Sequence, residues 1–262
     1  MDLKLTGKKA LVTGSTKGIG LAIAQRLDKE GAHVIINGRS QESIDKALSQ
    51  LSDKAIGIVE DISTAPGAAS FIQKISQSSH SKPEIVINNL GIYEPQSFLD
   101  ITDQQWQHFF EINVMSGVRM SRAFLPEMIQ NNWGRIIFIS SESAFNIPEE
   151  MIHYGMTKLA QIGIARGLAE TVKGTGITVN SVLPGPTLSE GVQDFIDDLA
   201  KDDKSPKAVE DEFFQKVRPT SLLQRFIEPH EIANIVAYIA SPLSSATTGA
   251  SIRADGGTYK SI

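Results

Sequence analysis

Tyr154 and Lys158 are the two residues of this sequence whose types and spacing most directly suggest chemistry. They stand four positions apart in a segment with helical patterning, so the phenol and the ammonium would share one face of a helix. A free tyrosine has a pKa of about 10 and is a poor base at neutral pH, but a neighbouring cation favours the phenolate and lowers that pKa. The pair therefore predicts a tyrosine that exchanges a proton with a bound ligand.

Two serines, Ser140 and Ser141, end an apolar segment that begins at Gly134. If this segment is a buried parallel strand, its carboxyl end lines the crevice in which ligands bind. A hydroxyl there could donate a hydrogen bond to a substrate carbonyl. Successive strand residues point to opposite faces, so we expect only one of the two serines to face the site. The alternative is that either serine caps the end of the strand.

Three glycines, Gly14, Gly18 and Gly20, lie between the first predicted strand and the first predicted helix. Glycines allow backbone N–H groups to approach a pyrophosphate closely, and the N-terminus of a helix favours negative charge. This placement predicts a dinucleotide-binding loop. The alternative is a tight structural turn.

The end of the second predicted strand indicates which dinucleotide would bind. Many NAD-binding folds have an acidic residue there that accepts a hydrogen bond from the ribose 2′-hydroxyl. Here Asn37, Gly38 and Arg39 follow one another and no acid is present. Arg39, together with Lys17 from the glycine loop, could bind a 2′-phosphate. We therefore predict NADP rather than NAD; the alternative is that both cations are ordinary surface charges.

The elements that must position these residues alternate between short apolar runs and amphipathic stretches of helical length. This alternation is typical of an α/β fold with a parallel sheet covered by helices on both faces. Some runs, such as Ile136–Ile139, are apolar throughout, as a strand buried on both faces requires. We predict strands at Lys9–Thr13, His33–Asn37, Ala55–Glu60, Ile85–Asn88, Gly134–Ser140, Ile177–Val182 and Ser251–Arg253. We predict helices at Ile19–Glu30, Glu42–Leu51, Gly67–Ser76, Asp103–Gln130, His153–Lys173 and Glu231–Ala240.

Length and composition favour a single globular domain over residues 1–262, with 41% hydrophobic and 21% charged residues. The absence of cysteine excludes disulfides, thiolate metal sites and a cysteine nucleophile. The five histidines have no metal-ligand spacing, so we predict no metal site and no metal hydrolase.

The net charge of −5 gives no basic field that could hold nucleic acid. We find neither an apolar targeting segment at the N-terminus nor a run long enough to span a bilayer, so we expect no membrane partner and a cytoplasmic location.

The region from Pro184 to Pro229 is irregular, and we interpret about 187–228 as a lid over the substrate. Glu190–Lys216 contains nine acidic residues and four lysines, a balance that equals the whole net charge. Its apolar residues have roughly helical spacing, and we expect two amphipathic helices packed on the core. These residues are Phe195, Ile196, Leu199, Phe213, Phe214 and Val217.

Taken together, these motifs resemble the short-chain dehydrogenase/reductase family in its single-domain form, over almost the whole chain. The resemblance implies a Rossmann-type three-layer αβα sandwich with a doubly wound parallel sheet of about seven strands in the order 3-2-1-4-5-6-7. The matching segments, in family order, are Thr13–Gly20, Glu60–Ile62, Asn88–Gly91, Asn113, Ser141, Tyr154 with Lys158, Asn180, Pro184–Gly185 and Asp255–Gly257.

The resemblance also implies roles for individual residues. Ser141, thirteen residues before Tyr154, would orient the substrate, and Ser140 does not fit that spacing. Tyr154 would donate the proton in reduction. Lys158 would bind the nicotinamide ribose and lower the pKa of Tyr154, and Asn113 would hold a water that links Lys158 to solvent. The residues implied at the cofactor are Gly14, Thr16, Lys17, Gly18, Ile19, Gly20, Arg39, Asp61, Ile62, Asn88, Gly91, Tyr154, Lys158, Pro184, Gly185, Thr187 and Ser189.

Two positions depart from the family pattern. Leu90 replaces the usual alanine of the Asn-Asn-Ala-Gly motif, so we expect different packing beside the cofactor and no loss of activity. Ser189 stands where many members have threonine, and the hydroxyl is retained.

The activity that the resemblance implies is hydride transfer between NADP(H) and a small-molecule carbonyl or secondary alcohol, by an enzyme acting on CH–OH donors. One alternative is 3-oxoacyl-(acyl carrier protein) reductase, but the positions that carry basic residues in those enzymes look like Asn131–Asn132 and Gly174–Thr175 here, with Arg135 and Lys173 only nearby. The acidic lid would also repel an acidic carrier.

Two further alternatives fit less well. A catalytically idle nucleotide-binding sensor would lose the tyrosine or the lysine, whereas this chain keeps both. An epimerase or dehydratase would belong to longer members of the family. The family also implies a homodimer or homotetramer that pairs through the predicted helices Asp103–Gln130 and His153–Lys173 and through the last helix and strand.

Overall fold

Seven parallel strands form a single sheet at the centre of the computed structural model, which describes residues 1–189, 192 and 205–261. The strand order is β3-β2-β1-β4-β5-β6-β7, so the predicted order is confirmed. All six strand pairs run parallel. The strands are β1 (Lys9–Val12), β2 (His33–Gly38), β3 (Ile56–Val59), β4 (Ile85–Asn88), β5 (Gly134–Ile139), β6 (Ile177–Pro184) and β7 (Ser251–Ala254).

Helices cover both faces of the sheet, as three layers require. The first two helices and the last one pack on one face, and α3, α5 and α6 pack on the other. The helices are α1 (Gly18–Lys29), α2 (Gln41–Leu48), α3 (Ala65–Gln77), α4 (Asp103–Phe110), α5 (Ser116–Gln130), α6 (Ile152–Thr171), α7 (Pro206–Lys216) and α8 (Pro229–Ala240).

Alternate residues of the central strands enter two separate apolar cores. In β5, Ile137 and Ile139 face the helices α1 and α8, whereas Ile136 and Phe138 face α5 and α6. All four are buried. Because successive strand residues point to opposite faces, a strand between two helical layers must be apolar at every position.

The predicted helical stretch Asp103–Gln130 is confirmed in its extent, and a wide π turn at Glu111–Met115 divides it into α4 and α5. Such turns insert one extra residue and shift the register of the side chains that follow. Asn113 lies within this turn and is buried. The interruption therefore affects a residue expected in the site.

Strands β2 and β3 lie on one side of β1, and β4 lies on the other, so the side on which successive strands join the sheet changes after β3. The loops that follow β1 and β4 therefore diverge and leave a crevice at the carboxyl ends of the strands. The predicted glycine loop follows β1, and Asn88–Gly91 follows β4.

The segment after β6 folds back over this edge of the sheet. Helix α7 packs Val209 and Phe214 against Phe226, and the rings of Phe214 and Phe226 lie 5.1 Å apart. Most of the predicted acidic lid, including Phe195, Ile196 and Leu199, lies outside the described residues. Within the described ranges, no helix is long and apolar enough to cross a bilayer.

Candidate active site

Tyr154 lies in the first turn of α6, where its phenol faces the end of β5. The Ser141 side chain forms a hydrogen bond with the phenol, which acts to lower the pKa of Tyr154. Burial has the larger effect, and together with the nearby Glu142 and Tyr93 it raises the pKa of Tyr154 to about 12. The phenol is therefore protonated at neutral pH.

The ammonium of Lys158 is bound to the backbone at the end of β5. Its Nζ donates a hydrogen bond of 2.9 Å to the Ile139 carbonyl and lies 5.5 Å from the centroid of the Tyr154 ring. Burial lowers the pKa of Lys158 itself to about 8. The ammonium is thus bound to the end of β5, and the phenol keeps its proton as an acid.

The two serines after β5 have different partners. Ser140 Oγ donates to the backbone carbonyl of Lys158 over 2.8 Å and so links β5 to α6. Ser141 Oγ accepts from the Ser143 N–H at 3.1 Å and bonds to Tyr154. The structure therefore places Ser141 beside the phenol and gives Ser140 a packing role, as alternation along a strand predicts.

Asn113 is held by hydrogen bonds on every side. Its Nδ2 donates to the Ile92 carbonyl and to Thr157 Oγ1, each at 3.0 Å, and its Oδ1 accepts from the Ile92 N–H at 2.8 Å. Its backbone carbonyl accepts from Gln161 Nε2 at 2.6 Å. The side chain therefore ties the π turn to the loop after β4 and to α6.

The glycine loop after β1 needs its glycines for conformation and for space. Gly14 and Gly18 have φ of +58° and +56°, a region that disfavours other residues. A Cβ at Gly20 would lie 2.4 Å from the Gly14 carbonyl oxygen and 2.5 Å from Asn89 Nδ2. The loop is also held by Asn89 Nδ2, which donates to the Thr13 and Gly14 carbonyls at 2.9 Å each. The backbone is therefore open on its outer side, with Thr16, Lys17 and Ile19 between the glycines.

Leu90, which stands where the family pattern has alanine, packs against the glycine loop. Its Cα would lie 3.2 Å and its Cδ1 3.3 Å from a Cβ at Gly14, so Leu90 packs on the first glycine of the loop. The leucine thus buttresses the loop from the side of β4.

The two predicted phosphate-binding cations are exposed on this edge of the sheet. In the described part of the chain, the side chains of Arg39 and Lys17 form neither a salt bridge nor a hydrogen bond. The end of β2 carries no carboxylate that could compete with a phosphate. Both cations are therefore available to an anionic ligand.

The ends of β3 and β4 place the next residues expected at the cofactor. Asp61 is exposed directly after β3, and Ile62 beside it is buried. Asn88 Nδ2 donates to Ser121 Oγ at 2.9 Å, while its buried Oδ1 accepts no hydrogen bond. A Cβ at Gly91 would lie 3.4 Å from Lys158 Nζ, so this glycine keeps the space beside the lysine open.

The loop after β6 closes the crevice from the opposite side. Gly185 lies against Asp255, since a Cβ there would be 2.6 Å from the Asp255 carbonyl oxygen. Thr187 Oγ1 donates to the Gly185 carbonyl at 2.8 Å. Ser189 Cβ would lie 3.6 Å from a Cβ at Gly18, which brings this loop next to the glycine loop. The loop residues predicted at the cofactor, with Pro184 at the strand end, therefore lie along one crevice.

A cavity of about 610 Å³ joins these parts. Its polar wall carries Ser141, Tyr154 and Lys158, and the chain between β6 and α8 contributes mostly apolar side chains together with Arg218. The apolar lining residues include Pro186, Val192, Phe213, Val217 and Phe226.

Sequence reasoning missed the ion pair that lines this cavity. Arg218 Nε donates to Glu142 Oε1 over 3.0 Å, and the two side chains are 10% and 3% exposed. The position of Glu142 directly after Ser141 could have indicated a place in the site. Its partner Arg218, however, lies 76 residues further along the chain. Only the folded chain brings the two together.

His153, directly before Tyr154, does not lie on the surface of α6. It is fully buried, and its ring lies 4.0 Å from that of Phe109 and 5.9 Å from that of Trp106. Neither ring nitrogen has a hydrogen-bond partner among the residues that the structure describes, and burial lowers the pKa of His153. The imidazole therefore packs as a neutral ring beneath the start of α6.

Arg135, a cation considered for carrier docking, is buried as well. It donates to the backbone carbonyls of Ser241, Gly134 and Gly176, and burial lowers its pKa to about 10. This guanidinium fastens β5 to its neighbours and is closed to a docking partner.

Comparisons with known proteins agree with this architecture. The model of the short chain dehydrogenase family matches residues 8–200. An uncharacterized oxidoreductase, YvaG of Bacillus subtilis, is 46% identical over the whole of both chains. The 3-oxoacyl-[acyl-carrier-protein] reductase FabG of Aquifex aeolicus is 31% identical over 99% of this chain and all of its own. The L-sorbose reductase of Gluconobacter frateurii, solved with NADPH and L-sorbose, superposes with a TM-score of 0.92 over the whole of both chains at 29% identity.

Proposed function

The chain belongs to the short-chain dehydrogenase family of oxidoreductases, and from this premise we propose that it transfers a hydride between NADP(H) and a carbonyl or secondary alcohol. One observation carries the proposal. The phenol of Tyr154, bonded to Ser141, lies on the wall of a cavity that also contains Lys158. An acid, an orienting hydroxyl and a cation beside an open crevice are the groups that carbonyl reduction needs.

The residues present fit NADP. Positive φ at Gly14 and Gly18 and the space at Gly20 leave the loop backbone open to a pyrophosphate. Arg39 and Lys17 are free to bind a 2′-phosphate. The solved relative from Gluconobacter frateurii was crystallised with NADPH, which supports the same choice. When bound, the nicotinamide supplies or accepts the hydride.

The remaining predicted contacts follow the edge of the sheet. Asp61 and Ile62 would hold the adenine, and Asn88 and Gly91 its ribose. Lys158 would bind the nicotinamide ribose. The loop after β6 would enclose the nicotinamide end and the pyrophosphate, through Pro184, Gly185, Thr187 and Ser189.

In reduction, Ser141 Oγ orients the carbonyl oxygen and Tyr154 Oη donates its proton to that oxygen as negative charge develops there. A pKa of about 12 keeps the proton on Tyr154 until negative charge develops on the substrate oxygen. Lys158 has a pKa of about 8, close to the working range, so it is suited to pass a proton onward. A water held at Asn113 would complete the path from Lys158 to solvent.

A second candidate is reduction of a 3-oxoacyl group on an acyl carrier protein, which the 31% identity to FabG favours. The burial of Arg135 and the acidic residues of α7 favour a small uncharged substrate instead. A lid at about 187–228 would close over that substrate.

Fluorescence titration with NADPH and NADH, followed by turnover of a carbonyl panel, tests the proposal. We expect tighter binding of NADPH, and we expect Tyr154→Phe to bind it with unchanged affinity while turnover falls about 10²–10⁴-fold. Tyr238→Phe, an exposed tyrosine on α8, is the matched control. Wild-type turnover in Tyr154→Phe would refute the catalytic assignment, and binding without any turnover would favour the sensor.

A further inference from the structure

Glu142 is a buried carboxylate on the polar wall of the cavity, next to the serine that meets the substrate carbonyl. It begins the short helix Glu142–Ala144 directly after Ser141 and is only 3% exposed. A carboxylate in such a place is costly unless its oxygens receive hydrogen bonds. The contacts of its two oxygens therefore show whether its function is only structural.

The two oxygens differ. Oε1 accepts from Arg218 Nε at 3.0 Å and from Ser143 Oγ at 3.2 Å, whereas Oε2 is buried and has no donor at hydrogen-bonding distance among the residues that the structure describes. A side-chain hydrogen bond from Asn146 also acts to lower the pKa of the carboxyl, although burial acts more strongly and raises that pKa. One oxygen of the carboxylate is thus left without the donor that a buried acceptor requires.

Arg218 supplies a donor on the same wall. Its Nε and Nη1 bond to Glu142 and to the Val217 carbonyl, and Nη2 forms no hydrogen bond within the described part of the chain. The side chain is 8% exposed and lines the cavity. The pair is therefore neutral as a whole, with one acceptor and one donor unused.

These requirements select a ligand group. A hydroxyl both donates and accepts, so it can bind to Oε2 and to Nη2 without adding charge. A ketone or thioester oxygen only accepts, so it leaves Oε2 unsatisfied. An ammonium would meet the positive charge of Arg218, and a carboxylate would meet that of Glu142.

Resting on the function proposed above, we propose that Glu142 and Arg218 form a hydroxyl-binding subsite and that the substrate is a polyhydroxylated carbonyl compound, such as an open-chain ketose. Ser141 and Tyr154 bind its carbonyl oxygen, and the subsite binds a hydroxyl on a neighbouring carbon. The apolar wall formed by Phe213 and Phe226 covers the carbon chain.

Two substrates of equal chain length test this subsite directly. Erythrulose has hydroxyls on the carbons next to its carbonyl, and 2-butanone has the same four carbons without them. We expect kcat/KM with NADPH to be at least about 100-fold higher for erythrulose, because a site built for hydroxyls rejects the analogue that lacks them. Acetoacetyl-CoA, a 3-oxoacyl thioester, is the third arm.

Glu142→Gln should lower the erythrulose to butanone ratio at least about tenfold, since the amide oxygen would turn to Arg218 and place an NH₂ where Oε2 was. Glu149→Gln changes an exposed glutamate seven residues further along and should leave the ratio unchanged. If Glu142→Gln fails to bind NADPH or to fold, the double variant Glu142→Met and Arg218→Met replaces the pair with apolar groups and should lower the ratio as well.

Equal kcat/KM for erythrulose and butanone, a preference for acetoacetyl-CoA, or an equal loss on all substrates in Glu142→Gln would each overturn the subsite. The proposed hydride transfer would survive each of these results. Reduction of another compound of the carbonyl panel without reduction of erythrulose would overturn the subsite alone, whereas failure to oxidise NADPH with the whole panel would reject the hydride transfer.

Discussion

At the scale of single residues, burial decides the protonation of the two central groups. Burial raises the pKa of the Tyr154 phenol to about 12 and lowers that of the Lys158 ammonium to about 8, so each group is moved towards its neutral form. A neutral phenol is an acid in the reduction direction. Burial of the Lys158 ammonium in the site, in contrast, destabilises the folded state.

Replacing Lys158 with Met should stabilise the fold while abolishing turnover. The folded pKa is lower than the unfolded one, so between about 8 and 10.5 the unfolded chain binds more protons and wild-type stability rises with pH. Well below pH 8 the burial of the charge costs about 3 kcal/mol. Urea unfolding at pH 7 should show Lys158→Met as the more stable protein, with the difference shrinking at higher pH.

The exposed Lys29 provides the control for that experiment, because Lys29→Met should change stability little at either pH. A loss of stability in Lys158→Met at pH 7 would mean that the bond to the Ile139 carbonyl outweighs the cost of burial.

The choice between NADPH and NADH also depends on a single residue, because the guanidinium of Arg39 would bind the 2′-phosphate. Arg39→Ala should weaken NADPH binding about 10- to 100-fold, the effect of losing a charged hydrogen bond, and leave NADH binding within about twofold. Fluorescence titration of both cofactors measures this. Lys29→Ala serves as the control, and equal weakening of NADPH and NADH would contradict a 2′-phosphate contact.

At the scale of elements, the site depends on how closely the strand ends and helix starts approach each other. Gly20 lies in the first turn of α1 against the Gly14 carbonyl and Asn89, and the π turn between α4 and α5 holds Asn113 against α6. At Gly20 the backbone sets the spacing, whereas at the π turn the side chain of Asn113 does. Substituted glycines therefore report directly on these contacts.

Two helical glycines should respond in opposite directions to alanine. In Gly20→Ala, the Cβ would lie 2.4 Å from a backbone oxygen, so we expect a loss of about 1–3 kcal/mol in the free energy of unfolding and weaker NADPH binding. A Cβ at Gly163 in α6 would meet nothing within 4 Å, and Gly163→Ala should gain about 0.5–1 kcal/mol. Urea titration compares them, and a stabilised Gly20→Ala would contradict the packing of the loop.

At the scale of the whole molecule, an apolar groove between α5 and α6 remains uncovered. It has a volume of about 610 Å³, and Ile129 at its rim is 49% exposed. A groove of this kind on two adjacent helices suits pairing with a second copy of the chain. Its apolar lining residues are Val118, Leu125, Pro126, Ile129, Ile164 and Leu168.

We expect the chain to form dimers or tetramers through this groove. Ile129→Glu should place a charge in the interface and lower the mass measured by light scattering after size exclusion. Leu99→Glu alters a leucine that is 90% exposed and away from the groove, so it should leave the mass unchanged. A monomeric wild type, or an unchanged mass in Ile129→Glu, would contradict the prediction.

The sequence by itself determined the elements, and the resemblance to the family gave their order in the sheet. Periodicity and turn residues are local properties, so the strands, most helices and the glycine loop could be found before the chain was folded. The four-residue spacing of Tyr154 and Lys158 and the cations Arg39 and Lys17 were found in the same way.

Only the tertiary structure decided what depends on burial and on distant partners. The pairing of Glu142 with Arg218 joins residues 76 positions apart, and no local pattern encodes such a contact. The direction of Lys158 Nζ, the depth of His153 and the burial of Arg135 likewise depend on which neighbours exclude water from each group. Desolvation is a property of the packed molecule, which explains why the shifted pKa of Lys158 could not be inferred from its spacing to Tyr154.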